Sequence, residues 1–140
     1  MTAATGQTGS ERLVELSGVA KHFPVTKGAV FQRTIGVVKA VDGVSFSICR
    51  GEAFGLVGES GCGKSTIARC ILKLEPPSDG TIAFDGEDIW ALDRHRTRDF
   101  RRRVQAVFQD PYSSLNPRMI VGEIVGEPFY VHVGQKRGPE

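Results

Sequence analysis

Apolar residues in this chain fall mostly in short groups with sharp boundaries. Val44, Phe46 and Ile48 alternate with Ser45 and Ser47, the period of a strand with one buried face. Residues 13–16 and 19–23 predict an earlier strand in two pieces, ended by Pro24. Residues 25–35 are of mixed character and predict a loop. Val37-Val38-Lys39-Ala40-Val41 predicts a strand, with Asp42-Gly43 as a turn or bulge after it. Ala53-Phe54-Gly55-Leu56-Val57 is a continuous apolar run, the pattern of a buried parallel strand. Ile67, Ala68, Ile71, Leu72 and Leu74 then recur at helical spacing. The cluster Pro76-Pro77-Ser78-Asp79-Gly80 breaks the chain. Residues 81–84 and 87–89, joined by Asp85-Gly86, predict a β-hairpin. Helical character resumes near Asp93. Val104-Gln105-Ala106-Val107-Phe108 predicts another strand, which Gln109-Asp110-Pro111 leaves abruptly. From Tyr112 onward the expectation is mostly loop, with one apolar segment at 120–125. Residues 1–11 predict a disordered tail, which leaves 12–140 as a single folded domain.

Composition narrows the class. With 40% apolar and 24% charged residues the chain reads as soluble and globular. A net charge of +2 is too small to argue for nucleic acid or a membrane surface. Arg94, Arg96, Arg98, Arg101, Arg102 and Arg103 form a basic cluster, but with Phe100 as the one interleaved aromatic it reads as a solvated helix face. No apolar run reaches the ~18 residues of a membrane span. Met1 to Ser10 carries no basic start and no apolar stretch, so no signal peptide is expected and the location is expected to be cytoplasmic. Cys49, Cys62 and Cys70 show no metal-ligand spacing and read as free thiols.

The chemistry concentrates in Gly58-Glu59-Ser60-Gly61-Cys62-Gly63-Lys64-Ser65-Thr66, which fits the phosphate-loop pattern G-x-x-x-x-G-K-[ST]. A triphosphate needs several donors converging on a small anionic cluster, more than side chains can supply. Glycines let backbone N–H groups approach the phosphate oxygens without a Cβ in the way. Lys64 adds a point charge at the β and γ phosphates, and the Ser65 hydroxyl is a ligand for Mg²⁺. The helix that follows directs its positive end at the phosphates. Strand, loop and helix occur in the order this motif requires. The pattern is not G-x-G-x-x-G, so a Rossmann dinucleotide site is disfavoured. Cys62, beside Lys64 and a helix N-terminus, is expected to be the most reactive thiol.

The loop, the hairpin after its helix and the strand ending in Gln109 together resemble the ATP-binding subunit of ABC transporters. The resemblance implies an α/β P-loop fold: the N-terminal part of an ABC-type nucleotide-binding domain, with a P-loop core joined to an antiparallel β subdomain. It implies ATP and Mg²⁺ as ligands. Phe23, in Lys21-His22-Phe23, sits where the family's adenine-stacking aromatic belongs. Gln109 matches the glutamine that touches Mg²⁺ and the attacking water, in a loop that senses the transmembrane subunit. The run from Gln109 through Tyr112, Asn116-Pro117-Arg118-Met119, Gly122-Glu123 and Glu127-Pro128 resembles the oligopeptide, dipeptide and nickel importer branch, and its second type of ATPase subunit. The implied partners are transmembrane permease subunits and a second, homologous ATPase subunit at the cytoplasmic face of the membrane, with the membrane reached only through the permease and no nucleic acid.

The family's Leu-Ser-Gly-Gly-Gln signature, its apolar strand ending in Asp-Glu and its switch histidine do not occur in these 140 residues. His22, His95 and His132 match no such histidine context. The expectation is therefore a partial domain, inactive in hydrolysis by itself. The alternative is a truncated, non-catalytic nucleotide-binding remnant of such a subunit. A GTPase would carry an Asn-Lys-x-Asp motif, which is absent, and a small kinase would continue into helices and a lid rather than a β-hairpin.

Overall fold

A computed structural model describes residues 2–3, 11–27, 33–110 and 115–133. The chain divides into two units, 1–93 and 94–140. In the first, the elements run β1 (Thr2–Ala3), β2 (Arg12–Lys27), β3 (Arg33–Cys49), β4 (Leu56–Val57), α1 (Lys64–Ile71), β5 (Asp79–Phe84) and β6 (Glu87–Asp88). The second holds α2 (Arg94–Arg103) and α3 (Val121–Val133).

Strands β3, β2, β5 and β6 form one antiparallel sheet in that order. Leu16 lies opposite Phe46 on one side and Ile82 on the other, so one apolar row crosses three strands. Leu16, Val19, Val41 and Ile82 are buried together with Ile67 and Cys70 of α1 and Ile89 after β6. Each large aliphatic side chain removed from water here contributes about 1.5–3 kcal/mol before entropy is charged against it. Phe46 also stacks on Phe54, with ring centroids 4.8 Å apart, which ties β3 to the segment entering the phosphate loop.

The β5–β6 hairpin forms as expected: Asp85 and Gly86 both have φ near +60° to +80°, the conformation of a two-residue type I′ turn. Asp42-Gly43 is a bulge inside an unbroken β3, where that strand advances one residue more than β2 between the Val19–Val44 and Lys21–Val41 pairs.

Four expectations about strands are corrected. Pro24 does not end its strand; it pairs with Val37. Past Ala20 β5 has left β2, so Pro24 has β3 as its one ladder partner, the edge setting a proline tolerates. The expected loop at 25–35 is strand at both ends, since Val25 pairs with Gly36 and Thr26 with Thr34; residues 28–32 lie outside the described residues. The run at 53–57 yields only the two-residue β4, antiparallel to β1, with Val57 73% exposed rather than buried. The strand expected at 104–108 is not formed, and Val107 is 99% exposed. Both apolar runs predict strands buried on two faces, but among the described residues β4 pairs only with the two-residue β1 and no strand pairs with 104–108.

Helix α1 stops one turn sooner than its apolar spacing implied. Lys73 takes φ +56°, its N–H donates to the Cys70 carbonyl and the Leu74 N–H to the Arg69 carbonyl, the Schellman arrangement. A glycine would adopt this φ with less strain. Lys73 instead places its ammonium 3.3 Å from the Leu92 carbonyl and over the Trp90 ring.

In the second unit, residues 121–133 are helical where loop was expected. The start is capped: the Glu123 N–H donates to the Ile120 carbonyl, and the Glu123 carboxylate receives the Ile120 N–H at 3.4 Å. Pro128 sits inside the helix. Gly126 lets the Tyr130 ring lie against the backbone one turn away. At the far end, Arg98 donates to the Val131 and His132 carbonyls at 2.8 and 2.9 Å, satisfying two of the helix's last acceptors. Arg98 thus holds the two helices of this unit together, while Phe100 is buried beneath α2.

Candidate functional site

The loop at 58–63 leaves β4, turns at Glu59, whose carbonyl accepts the Cys62 N–H at 3.4 Å, and enters α1 at Gly63. Gly63 is the N-cap, with φ +93°, and the first helical bond runs from the Ile67 N–H to the Gly63 carbonyl at 3.0 Å. No side chain caps this end and no acidic residue lies in the first turn. The amides of Lys64, Ser65 and Thr66 are therefore donors without an intrahelical acceptor, aligned with the positive end of the helix dipole. That arrangement is built for an anion.

Gly63 is required by what surrounds it. A Cβ on Gly63 would overlap the carbonyl oxygen of Ala40, and it would lie 3.3 Å from Val41 Cγ2. Strand β3 is thus the floor against which the loop closes. A Cβ on Gly58 would stand 2.6 Å from Cys62 Sγ.

Lys64 bends back beneath the loop. Its ammonium donates to the Gly58 carbonyl at 2.7 Å, the Glu59 carbonyl at 2.6 Å and Cys62 Sγ at 3.4 Å. Three partners from one loop fix a flexible four-carbon chain, so the charge is held within the loop. Ser65 beside it is exposed and Thr66 half-buried. Glu59, Ser60 and Gly61 form the exposed rim. The cradle of amides, a fixed ammonium and an accessible hydroxyl together match a phosphate chain with a divalent cation.

Phe23 belongs to the same unit. It lies on β2 opposite Val38, and two residues along β3 from Val38 is Ala40, the residue touching Gly63. Phe23 is 37% exposed. Gln109 belongs to the second unit, exposed, at a bend in the irregular segment after α2. Tyr112 lies outside the described residues. Asn116 to Met119 form a turn in which the Asn116 side chain accepts the Arg118 N–H at 3.0 Å.

Two contributors to the site have no signature in the sequence. Ala40 acts through its backbone carbonyl, which spacing does not reveal. Lys21 interrupts an apolar stretch and turns out buried, with its ammonium 4.9 Å from the Phe23 ring centroid. Cys49 and Cys62 are both half-buried, Cys62 in the loop, while Cys70 is buried in α1, and that burial pushes its thiol above the ordinary range. At the β3 bulge, the hydrogen bond from Lys39 and a second contact from His22 hold the exposed Asp42 carboxyl below its ordinary value. No helix among the described residues is long and apolar enough to cross a membrane.

Comparison with known proteins places this site in a family. The oligopeptide transport ATP-binding protein AppF of Bacillus subtilis is 50% identical over 133 residues, covering 94% of this chain and 39% of that protein. The oligopeptide transport ATP-binding protein OppF of the same organism is 44% identical over 124 residues, covering 88% of this chain and 38% of that protein. The chain thus spans little more than a third of the length of these relatives. Among solved structures, a dimeric ATP-binding cassette in a post-hydrolysis state, bound to ADP and phosphate, superposes with a TM-score of 0.65 at 26% identity, covering 91% of this chain and 50% of that one. The ABC transporter family profile matches residues 41–137, a span that takes in the Ala40-flanking strand, the phosphate loop and Gln109. The chain belongs to the ABC transporter family and carries the N-terminal portion of its nucleotide-binding cassette.

Proposed function

We propose that this chain binds Mg-ATP through the 58–66 loop and serves as the ATP-binding part of an importer for peptides or related small solutes. The observation that carries the nucleotide reading is the closure of the loop on β3 at Gly63 with the Lys64 ammonium pinned inside it. The cargo class rests on relatives whose names describe oligopeptide transport. On this reading the partners are membrane permease subunits and a second, homologous ATPase subunit, and the chain works at the cytoplasmic face.

In this site the amides of Gly61, Gly63, Lys64 and Ser65 bind phosphate oxygens, and Thr66 extends the same donor row. Lys64 neutralises charge at the β and γ phosphates. Glu59, Ser60 and Cys62 shape the rim, and Phe23 stacks on the adenine. Ser65 would hold Mg²⁺, which supplies charge neutralisation on the phosphates when bound; a role for Gln109 at the same ion rests on the family resemblance. Gln109 also orients water through its side-chain amide, and the backbone beyond it reports to the permease. Hydrolysis coupled to transport belongs to the assembled transporter.

Lys64→Ala tests the reading. A charge-assisted contact is worth about 1.5–3 kcal/mol, so calorimetry should show Mg-ATP binding weakened roughly ten- to a hundredfold. Equal affinity in the wild type and the variant would overturn the site.

A further inference from the structure

Lys21 is the buried charged residue of the described chain, 8% exposed within the sheet. Its ammonium meets the Glu75 carboxylate at 2.6 Å, donates to the Pro76 carbonyl at 2.8 Å and stands 4.9 Å from the centroid of the Phe23 ring. Glu75 and Pro76 directly follow the Schellman stop of α1. The same segment is bonded along β2 on both sides of Lys21: the Ser78 N–H donates to the Ala20 carbonyl at 2.7 Å, and the Ser78 hydroxyl receives the His22 N–H at 3.0 Å. The chain leaving the phosphate-loop helix is therefore docked on the stretch of strand that presents Phe23.

We propose that Lys21 is a positioning residue for base recognition, holding the Phe23 ring in place by covering one of its faces while anchored to the segment after α1. This rests on the reading of Phe23 as the adenine-stacking residue. A desolvated ammonium is costly to keep, and an aliphatic residue would fill the position without that cost. What the cation supplies beyond packing is a fixed ring. A cation over one face is attracted by the ring quadrupole, and it leaves the opposite face for a flat, electron-rich base. Lys21 acts at the C-terminal end of α1 and Lys64 at its N-terminal end, about 12 Å away for eight residues at 1.5 Å each. Removing Lys21 should therefore loosen the base and leave the grip on the phosphates.

The test compares Mg-ATP with Mg-tripolyphosphate, which has the phosphates and no base, by calorimetry on the full chain. Lys21→Met should weaken ATP roughly two- to thirtyfold, the range a cation–π contact spans, and leave tripolyphosphate unchanged. Lys21→Arg, which keeps the charge over the ring, should restore most of the ATP affinity. The ratio of the two affinities does not depend on how much protein is folded, so it survives a loss of stability. Unchanged ATP affinity in Lys21→Met overturns the proposal, as does an equal loss for both ligands, which would mark a purely structural lysine. Phe23→Ala separates the layers. If it weakens ATP while Lys21→Met does not, only the role of Lys21 falls; if it leaves ATP affinity intact, the stacking reading beneath fails and takes the proposal with it.

Discussion

Three glycines of the phosphate loop stand in three different physical situations, and replacing each with alanine should separate them. Gly61 has φ +80° and open space where a Cβ would go. Its replacement meets only the backbone penalty of the left-handed region, about 1–2 kcal/mol. Gly63 has φ +93° and a β3 carbonyl in the way. Its replacement carries the same penalty plus overpacking of about 1–3 kcal/mol, because Ala40 sits in a strand that cannot shift without disturbing the β2–β3 ladder. Gly58 has no positive φ, and its obstacle is Cys62 Sγ, the end of a side chain that can rotate. That replacement should cost less than about 1 kcal/mol, since only a rotamer and one weak contact with Lys64 are at stake.

For a unit of this size each kcal/mol moves the melting temperature by about 4–8 °C. Gly63→Ala should therefore melt at least about 8 °C lower than wild type, Gly61→Ala about 4–16 °C lower, and Gly58→Ala less than about 8 °C lower. Calorimetry with Mg-ATP should rank the variants in the same order, with Gly63→Ala losing detectable binding. Cys62→Ala should relieve what penalty Gly58→Ala carries, because it removes the obstructing sulfur. Gly63→Ala behaving like Gly61→Ala in both assays would refute the closure of the loop on Ala40 and, with it, the geometry on which the nucleotide site is built.

Alkylation followed by mass mapping should label Cys62 first and Cys70 last: Cys62 lies 3.4 Å from the Lys64 ammonium in the loop, while burial raises the Cys70 thiol and keeps it protonated through neutral and mildly alkaline pH. Saturating Mg-ATP should slow Cys62 labelling alone, and labelling of Cys62 indifferent to nucleotide would contradict its place in the site. In the assembled transporter, Gln109→Ala should lower turnover with little change in ATP affinity. The opposite pattern, lost affinity with turnover per bound ATP preserved, would remove Gln109 from the coupling role.

The phosphate loop was legible because its chemistry is local. Nine consecutive residues supply the glycines, the lysine and the hydroxyl, and the flanks need only be strand and helix. The β5–β6 turn was legible for the same reason, since Asp85-Gly86 alone dictates the two positive φ values. What the sequence hid depends on partners. Pro24 sits in a strand because β5 departs at Ala20, a fact about a segment sixty residues away. The runs at 53–57 and 104–108 have the composition of two-sided strands, yet a strand exists only where a neighbour pairs with it. Helix α3 contains Gly122, Gly126 and Pro128, each of which argues against a helix taken singly. It is held by the Glu123 cap and by Arg98 closing its last carbonyls, contacts that periodicity cannot register. Lys21 reads as a polar interruption in a strand until Glu75 and Pro76 are folded against it.

Exposed apolar surface leads to a final expectation, for residues 1–140 taken by themselves. Val57, Val107, Phe108, Ile120, Val121, Val125 and Phe129 are all more than half exposed. Residues 121, 125 and 129 recur every four positions, so they form a stripe along one side of α3. Exposed apolar stripes and unpaired strand-forming segments associate with one another in water. On the chemical side, hydrolysis requires more than phosphate binding. A carboxylate must position or activate water, and cationic or dipolar groups must stabilise charge developing on the γ-phosphate. Lys64 and Gln109 supply part of this constellation. The Asp-Glu strand and the signature to which the family resemblance points are absent from these residues. The expected behaviour is weak, Lys64-dependent ATP binding, no sustained phosphate release and sedimentation as a mixture of associated species. Expressing residues 1–140, purifying them without refolding, and measuring phosphate release alongside sedimentation velocity tests both halves. A monodisperse monomer turning over ATP at about one per second or faster, within the ordinary enzyme range and lost in Lys64→Ala, would show that these residues carry a complete catalytic constellation and that the exposed runs are covered in solution.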